Sequence, residues 1–418
     1  MRYLSTTKGI GGTIKQTPED FLVREITSSG HALELNTNYS AESLGEQQDP
    51  EGKFTTLVLQ KRNWNTIQAL QTVAKRVGRG IRSIGYAGLK DRASTSTQLA
   101  SIFGVTPEAV LGTNVKDISI NGAWRSKEGV GMGGLLGNSF SIKISDCSAD
   151  EDAVKQTFDE LGSKMPNYFD SQRFGIRLNN HRVGLHIMRG ELEEAVMEYL
   201  TYSANENNED ARAARQRLAD ERDFASALSY FPQYLKSERT VLYHLSQNEK
   251  DFAKALRSIP RGVAIMFIHA VEALIFDHVV EQMLADGDFG NAKLWCGLNF
   301  YGFPDLAKAG TEKGELPLAP LIGYQTAEEN IGDMERSLLE QMEIGRESFK
   351  IKSMPELSMR GSYRPILSTF RRGVESVGEG SATLDFSLPS GAYATVLVGE
   401  VTKAGGLDLR RIAPELKN

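Results

Sequence analysis

The chain has 418 residues, enough for two or three domains around a large core. Its composition, 40% hydrophobic and 24% charged, is that of an ordinary soluble globular protein. Its two cysteines, Cys147 and Cys296, exclude a disulfide framework, and nothing near them has metal-ligand spacing. A reducing, cytoplasmic location is therefore expected, and the first residues lack the apolar core of a signal peptide. The most apolar segment, residues 263–276, is interrupted by His269 and Glu272. It reads as a buried helix too short to span a bilayer, so no membrane association is expected.

In chain order, Ile14-Lys15-Gln16 and Phe21-Leu22-Val23-Arg24-Glu25-Ile26 read as strands around a Thr17-Pro18-Glu19-Asp20 turn. Residues 37–52 are polar and loop-like, and 54–60 read as a strand. Asn63 or Asn65 caps a predicted helix running to Val77, with Ile67, Leu70, Val73 and Val77 on one stripe and Gly78 as its stop. Ile81-Arg82-Ser83-Ile84 reads as a short strand, and residues 94–103 alternate like another. Between them lies Gly85-Tyr86-Ala87-Gly88-Leu89-Lys90-Asp91-Arg92. Its two glycines permit close backbone approach or a positive φ, and Asp91 projects from a strand-flanked loop between two cations. By itself such a triplet is more often a solvated charge cluster.

Gly129-Val130-Gly131-Met132-Gly133-Gly134 matches a dinucleotide fingerprint only formally, because a strand pattern follows it where a helix is needed. It reads as a glycine-kinked connection. Residues 150–161 form a predicted helix capped by Ser148 or Asp150. Pro166 then introduces Asn167-Tyr168-Phe169-Asp170-Ser171-Gln172-Arg173-Phe174-Gly175. Aromatics beside Asn, Gln and Arg suit stacking and edge-reading of an unpaired base. The plainer alternative places Phe169 and Phe174 in a core and Arg173 in a salt bridge.

From about 178 to 344 the pattern is mainly helical, with helices expected at 191–199, 209–227, 239–245, 251–257 and 261–284. From about 354 strands and turns return, including Phe386-Ser387-Leu388-Pro389-Ser390-Gly391-Ala392-Tyr393-Ala394-Thr395-Val396. This order predicts an α/β (α+β) domain interrupted by a helical insertion. The six histidines form no metal cluster in sequence, and His269 reads as a satisfied core residue.

Formal net charge is −6, which alone argues against a polyanionic partner. The distribution argues the other way. Residues 60–92 carry eight bases and one acid, Asp91, and residues 171–190 carry four arginines and no acid. Residues 191–223 reverse this, with ten acids against four bases. Segregated bases can present a cationic face to a phosphate backbone, or can be spread around a solvated surface.

Three of these stretches together, 85–93, 167–175 and 386–395, resemble the TruD family of tRNA pseudouridine synthases. Ile14-Lys15 through Glu25-Ile26, Asn65-Thr66, Leu256-Arg257-Ser258-Ile259-Pro260-Arg261 and Met266-Phe267-Ile268-His269-Ala270 agree with it. Position 170 is Asp170, where the family often has glycine. The resemblance implies a pseudouridine-synthase catalytic domain, a mixed sheet with helices, from residues 1–177 and 355–418. A TRUD insertion domain would occupy 178–354, with tRNA as partner in the cleft between. It further implies isomerisation of uridine 13 without cofactor or metal; no obligate protein partner is evident from the sequence.

That reaction needs a carboxylate as nucleophile or base, and Asp91 is the candidate. Whether it would attack the ring at C6 or take a proton from the sugar stays open. By resemblance Lys15 is its first cation, ahead of Arg92 and Lys90. Phe21, Phe169 and Phe386 are placed by resemblance to receive the base or line its pocket. Asn167 would hold a loop or the base edge, and Arg173 a carboxylate or a phosphate. Two other readings are a non-catalytic RNA-binding module and an aspartate-nucleophile hydrolase. The latter would want a second carboxylate where Ala93 stands.

Overall fold

The computed structural model describes residues 1–287, 289, 292, 294–297, 315–404, 408–414 and 416. Fourteen strands lie among them: β1 (Thr13–Ile14), β2 (Phe21–Thr27), β3 (Phe54–Arg62), β4 (Ile84–Tyr86), β5 (Thr95–Phe103), β6 (Ile118–Ser126), β7 (Leu135–Ser145), β8 (Lys164–Pro166), β9 (Leu294–Gly297), β10 (Glu315–Leu321), β11 (Ser362–Pro365), β12 (Leu367–Thr369), β13 (Arg371–Gly378) and β14 (Ser381–Pro389). Nine of them form one sheet in the order β13-β14-β7-β2-β5-β3-β6, with β1 on β7 and β4 on β5. β2 and β5 pair in parallel and the neighbouring pairs are antiparallel, so the sheet is mixed and the fold is α+β, as the sequence predicts. Its strands come from both ends of the chain, because β14 pairs along its length with β7.

Period-two alternation explains how the sheet is covered. Leu57 and Leu59 on β3, with Ala100 and Ile102 on β5, pack against Ala69, Leu70, Val73 and Ala74 of the helix Thr66–Arg76. Asn65 starts that helix by accepting from the backbone amides of Ile67 and Gln68. Gly78, at φ +71°, takes the left-handed turn beyond its end. Ile81–Ser83 is a helical turn, so the predicted strand begins only at Ile84.

Helices follow at Asn180–Arg189, Leu192–Thr201, Glu209–Glu221, Phe224–Tyr230, Lys236–Gln247, Phe252–Arg257 and Arg261–Asp286. The single helix expected over 209–227 is broken. Arg222 adopts φ +50°, and Asp223 caps the next helix by accepting from the Ser226 amide. The expected helical run to 344 also contains β9 and β10, which form a small sheet with β11.

The helix Arg261–Asp286 has 26 residues, which corrects the expectation that it is too short to span a bilayer. By length and composition it could cross one, yet 78% of its most apolar window is buried within this fold. Gly184 admits its close neighbour: a Cβ there would lie 2.2 Å from the Phe267 carbonyl oxygen. Its residues Phe267, Ile268 and Phe276 belong to the same core as Phe140, Ile142 and Leu384 of the sheet. His269 is not a core residue: its side chain is 35% exposed and Nδ1 lies 2.7 Å from Glu272 Oε2.

Candidate active site

The loop between β4 and β5 is fastened at almost every residue. Gln98 Nε2 donates to the Gly88 carbonyl at 3.0 Å. Thr66 Oγ1 accepts from the Lys90 amide at 3.0 Å and donates to Gln98 Oε1 at 3.0 Å. Lys61 Nζ and Ser94 Oγ each donate to the Asp91 carbonyl at 2.7 Å. Successive side chains then face opposite ways. Lys90 turns inward and pairs with buried Glu25 at 2.6 Å, and Glu25 Oε1 also accepts from the Leu99 amide at 2.9 Å. Arg92 is exposed. Asp91, between them, presents its carboxylate to a cleft.

Both oxygens of that carboxylate are engaged. Lys15 Nζ lies 2.6 Å from Oδ2, and Gln172 Nε2 donates to Oδ1 at 3.0 Å. The side chains of Lys15 and Asp91 are 21% and 29% exposed, so the pair is accessible yet not fully solvated. Lys15 holds φ +63°, a left-handed conformation that costs a non-glycine residue about 1 kcal/mol. Its ammonium also sits 4.3 Å from the centre of the Phe21 ring.

Asp91 borders a cavity of about 650 Å³ walled by Phe21, Phe140, Leu135, Met132, Arg173 and Tyr393. Sheet register builds its aromatic wall. Phe140 on β7 stands opposite Val23 of β2 and Phe386 of β14. It meets Phe21 edge-on at 6.1 Å and stacks on Phe386 at 5.4 Å. A polar, charged group therefore faces an apolar aromatic wall, an arrangement suited to holding a flat ring near a carboxylate.

The residues singled out from sequence fall into two sets. Asp91, Lys15, Phe21 and Arg173 converge on the cleft. Phe386 is 2% exposed and supports Phe140 from behind. Phe169 is packed between Phe276 and Tyr393, at 5.6 and 6.2 Å, with the Arg364 guanidinium 4.2 Å from its ring centre. It borders a second cavity of about 640 Å³, beside Ser171 and Gln172. Asn167 is fully buried: Nδ2 donates to the Pro365 carbonyl at 2.8 Å, and Oδ1 accepts from Arg364 Nη2 at 2.7 Å. It thus holds a loop and leaves no edge for a ligand. Arg173 lies over Phe169 at 5.0 Å with Nη2 3.5 Å from the Tyr393 hydroxyl.

Sequence reasoning passed over Lys61 and Phe140. Both carry a signal. Lys61 continues the inward phase of Leu57 and Leu59, where a lysine is out of place. Phe140 shares a face with Ile142 and Ile144. Burial pushes the Lys61 ammonium down to a pKa of about 8, with Asp91 opposing the fall and Lys90 adding to it. Burial likewise pushes the Asp277 carboxyl well above the usual range, although it accepts from the Phe169 amide at 2.8 Å and faces Arg364 and Arg173. No group of three or more His, Cys, Asp or Glu among the described residues could hold a metal ion.

With this geometry in view, comparison with known proteins is informative. The sequence profile described as tRNA pseudouridine synthase D (TruD) matches residues 1–293 and 305–401. A protein of Methanosarcina acetivorans named probable tRNA pseudouridine synthase D is 30% identical over 97% of this chain and 96% of its own length. One of the same name from Archaeoglobus fulgidus is 31% identical over 96% and 97%. The crystal structure of a candidate tRNA pseudouridine synthase D from Methanosarcina mazei superposes with a TM-score of 0.71 at 29% identity, covering 96% of both chains. The likeness extends over nearly the whole chain, and this chain belongs to the tRNA pseudouridine synthase D (TruD) family.

Proposed function

We propose that this protein converts uridine in tRNA to pseudouridine, at uridine 13, with Asp91 as the reacting carboxylate. The observation that carries the reading is the convergence of Asp91, its counter-ion Lys15 and the Phe21–Phe140 wall on one cavity. In the reaction the N1–C1′ bond breaks, the base turns, and a C5–C1′ bond forms. C5 loses a proton and N1 gains one, so the exchange is atom-balanced and redox-neutral. Asp91 serves as nucleophile or base in this sequence, and Lys15 supplies counter-charge in a half-dry site. The uridine must leave its stack first, at a cost of a few kcal/mol, and the aromatic wall receives it. Residues 1–177 and 355–418 would form the catalytic part, residues 178–354 the insertion, with tRNA between them.

The test uses tRNA carrying tritium at uridine C5, because reattachment through C5 frees the label to water. Wild-type protein should release it, and Asp91→Asn should release none above background while still binding tRNA. Equal release by both would remove Asp91 from the chemistry. Chemical mapping of the product should place the new pseudouridine at position 13 alone. Modification elsewhere, with uridine 13 untouched, would overturn the positional assignment.

A further inference from the structure

We propose that Gln172 is a positioning residue of the reaction, fixing the plane of the Asp91 carboxylate through Oδ1. The inference rests on the role given to Asp91 above. A carboxylate held by one flexible lysine can still rotate; a second donor on its other oxygen removes that freedom. Gln172 Nε2 supplies this donor at 3.0 Å, while Lys15 holds Oδ2 at 2.6 Å. The amide orientation follows from chemistry, since an ionised carboxylate only accepts and the glutamine must turn its N–H toward it.

The support behind Gln172 is firmer than an exposed side chain requires. It sits in the single helical turn Ser171–Phe174. Asp170 Oδ1 accepts from the Ser171 amide at 2.6 Å at the start of that turn, and fully buried Phe174 closes its end. Asn180 Nδ2 donates to the Arg173 carbonyl at 3.2 Å. Upstream, the Phe169 amide is bonded to Asp277 of the helix Arg261–Asp286. From this braced turn the Gln172 side chain reaches the Asp91 carboxylate, while Arg173 lines the same cleft without bonding to that carboxylate. An exposed bond of this kind adds little to folding stability, so stability does not account for it.

Gln172 also occupies a boundary. It borders both the 650 Å³ cavity beside Asp91 and the 640 Å³ cavity beside Lys15. The string Lys15–Asp91–Gln172 thus runs between two hollows of similar size, and a nucleoside in the Phe21-walled one meets a carboxylate with a fixed plane. Misplacing a reacting group by about 1 Å can cost roughly a hundredfold in rate.

The experiment measures single-turnover tritium release at saturating enzyme, alongside the tRNA dissociation constant, for wild type, Gln172→Ala, Gln172→Glu and Asp91→Asn. Gln172→Ala should slow release by roughly ten- to a hundredfold with tRNA affinity within about threefold of wild type. Gln172→Glu keeps the size but has no donor when ionised and adds a second negative charge, so it should be slower still. A merely space-filling role predicts the reverse, with Glu restoring what Ala loses. Wild-type rates in Gln172→Ala, recovery in Gln172→Glu, or a loss confined to affinity would each overturn the proposal. If Asp91→Asn is inactive while Gln172→Ala is normal, only Gln172 is misassigned. If Asp91→Asn itself releases label, the role of Asp91 fails instead.

Discussion

Lys61 is completely buried, and its bonded partner is a neutral carbonyl, that of Asp91. Its pKa of about 8 lies below the usual 10.5 because burial penalises the ammonium more than nearby Asp91 stabilises it. Between those two values the unfolded chain binds a proton that the folded protein does not. Stability should therefore rise with pH across that window, and the charged lysine is a burden below it. At about 1.4 kcal/mol per pH unit the whole effect is on the order of 3 kcal/mol. Lys61→Met removes the titrating group. The stability of wild type relative to Lys61→Met should climb by roughly 2–3 kcal/mol between pH 7.5 and pH 10.5, read from urea unfolding curves. A difference that does not change with pH would show that Lys61 keeps an ordinary pKa. Lysine was legible here only as a polar letter at an inward position just past the predicted strand; the carbonyl it serves lies 30 positions away.

Elements decide where the Asp91 loop sits. Thr66, in the first turn of the helix Thr66–Arg76, is buried and bonded both to the Lys90 amide and to Gln98 of β5. Thr66→Val keeps the shape but leaves two buried polar groups without that hydroxyl. It should cost about 1–3 kcal/mol in chemical denaturation and should also slow tritium release, because the loop carries Asp91. Loss of activity without loss of stability would mean that Thr66 acts on the loop by another route. The helix itself was readable, with Asn65 one of two cap candidates beside Asn63, because capping is a local property of consecutive residues. The break at Arg222 was less so: Asp223 caps the second helix, but nothing in the apolar spacing marks a stop before it. β9 and β10 were missed altogether. β10 pairs with β9 on one side and with β11, far along the chain, on the other, and short apolar runs do not distinguish strand from helix. The cleft shows the same limit. The stretches carrying Lys15, Asp91 and Gln172 are conspicuous one by one, while the bonds that join them span 76 and 81 residues.

At the scale of the whole molecule, a net charge of −6 has to be reconciled with tRNA as substrate. The acidic surplus of residues 191–223 is partly neutralised within the helical region. Glu198 pairs with Arg182 and Glu191 with Arg189, two bases that lie outside that segment. Several bases of residues 60–92 are disposed differently: Lys75, Arg76, Arg82 and Arg92 are exposed. Local charge of this kind governs encounter with a polyanion more than the total does, since charges beyond about a Debye length are screened. Affinity for tRNA should therefore fall steeply as salt rises, each phosphate contact adding roughly 0.7–0.9 to the slope of log affinity against log salt. Neutralising Arg92 and Arg82 together should flatten that slope by about 1 to 2 and weaken binding of unrelated tRNAs equally, because phosphates carry no sequence information. The rate at saturating protein should change little, since neither side chain contacts Asp91's carboxylate. A slope unchanged in that double variant would move the RNA path away from Arg82 and Arg92, and a flat slope in the wild type would leave the exposed bases without a role in binding.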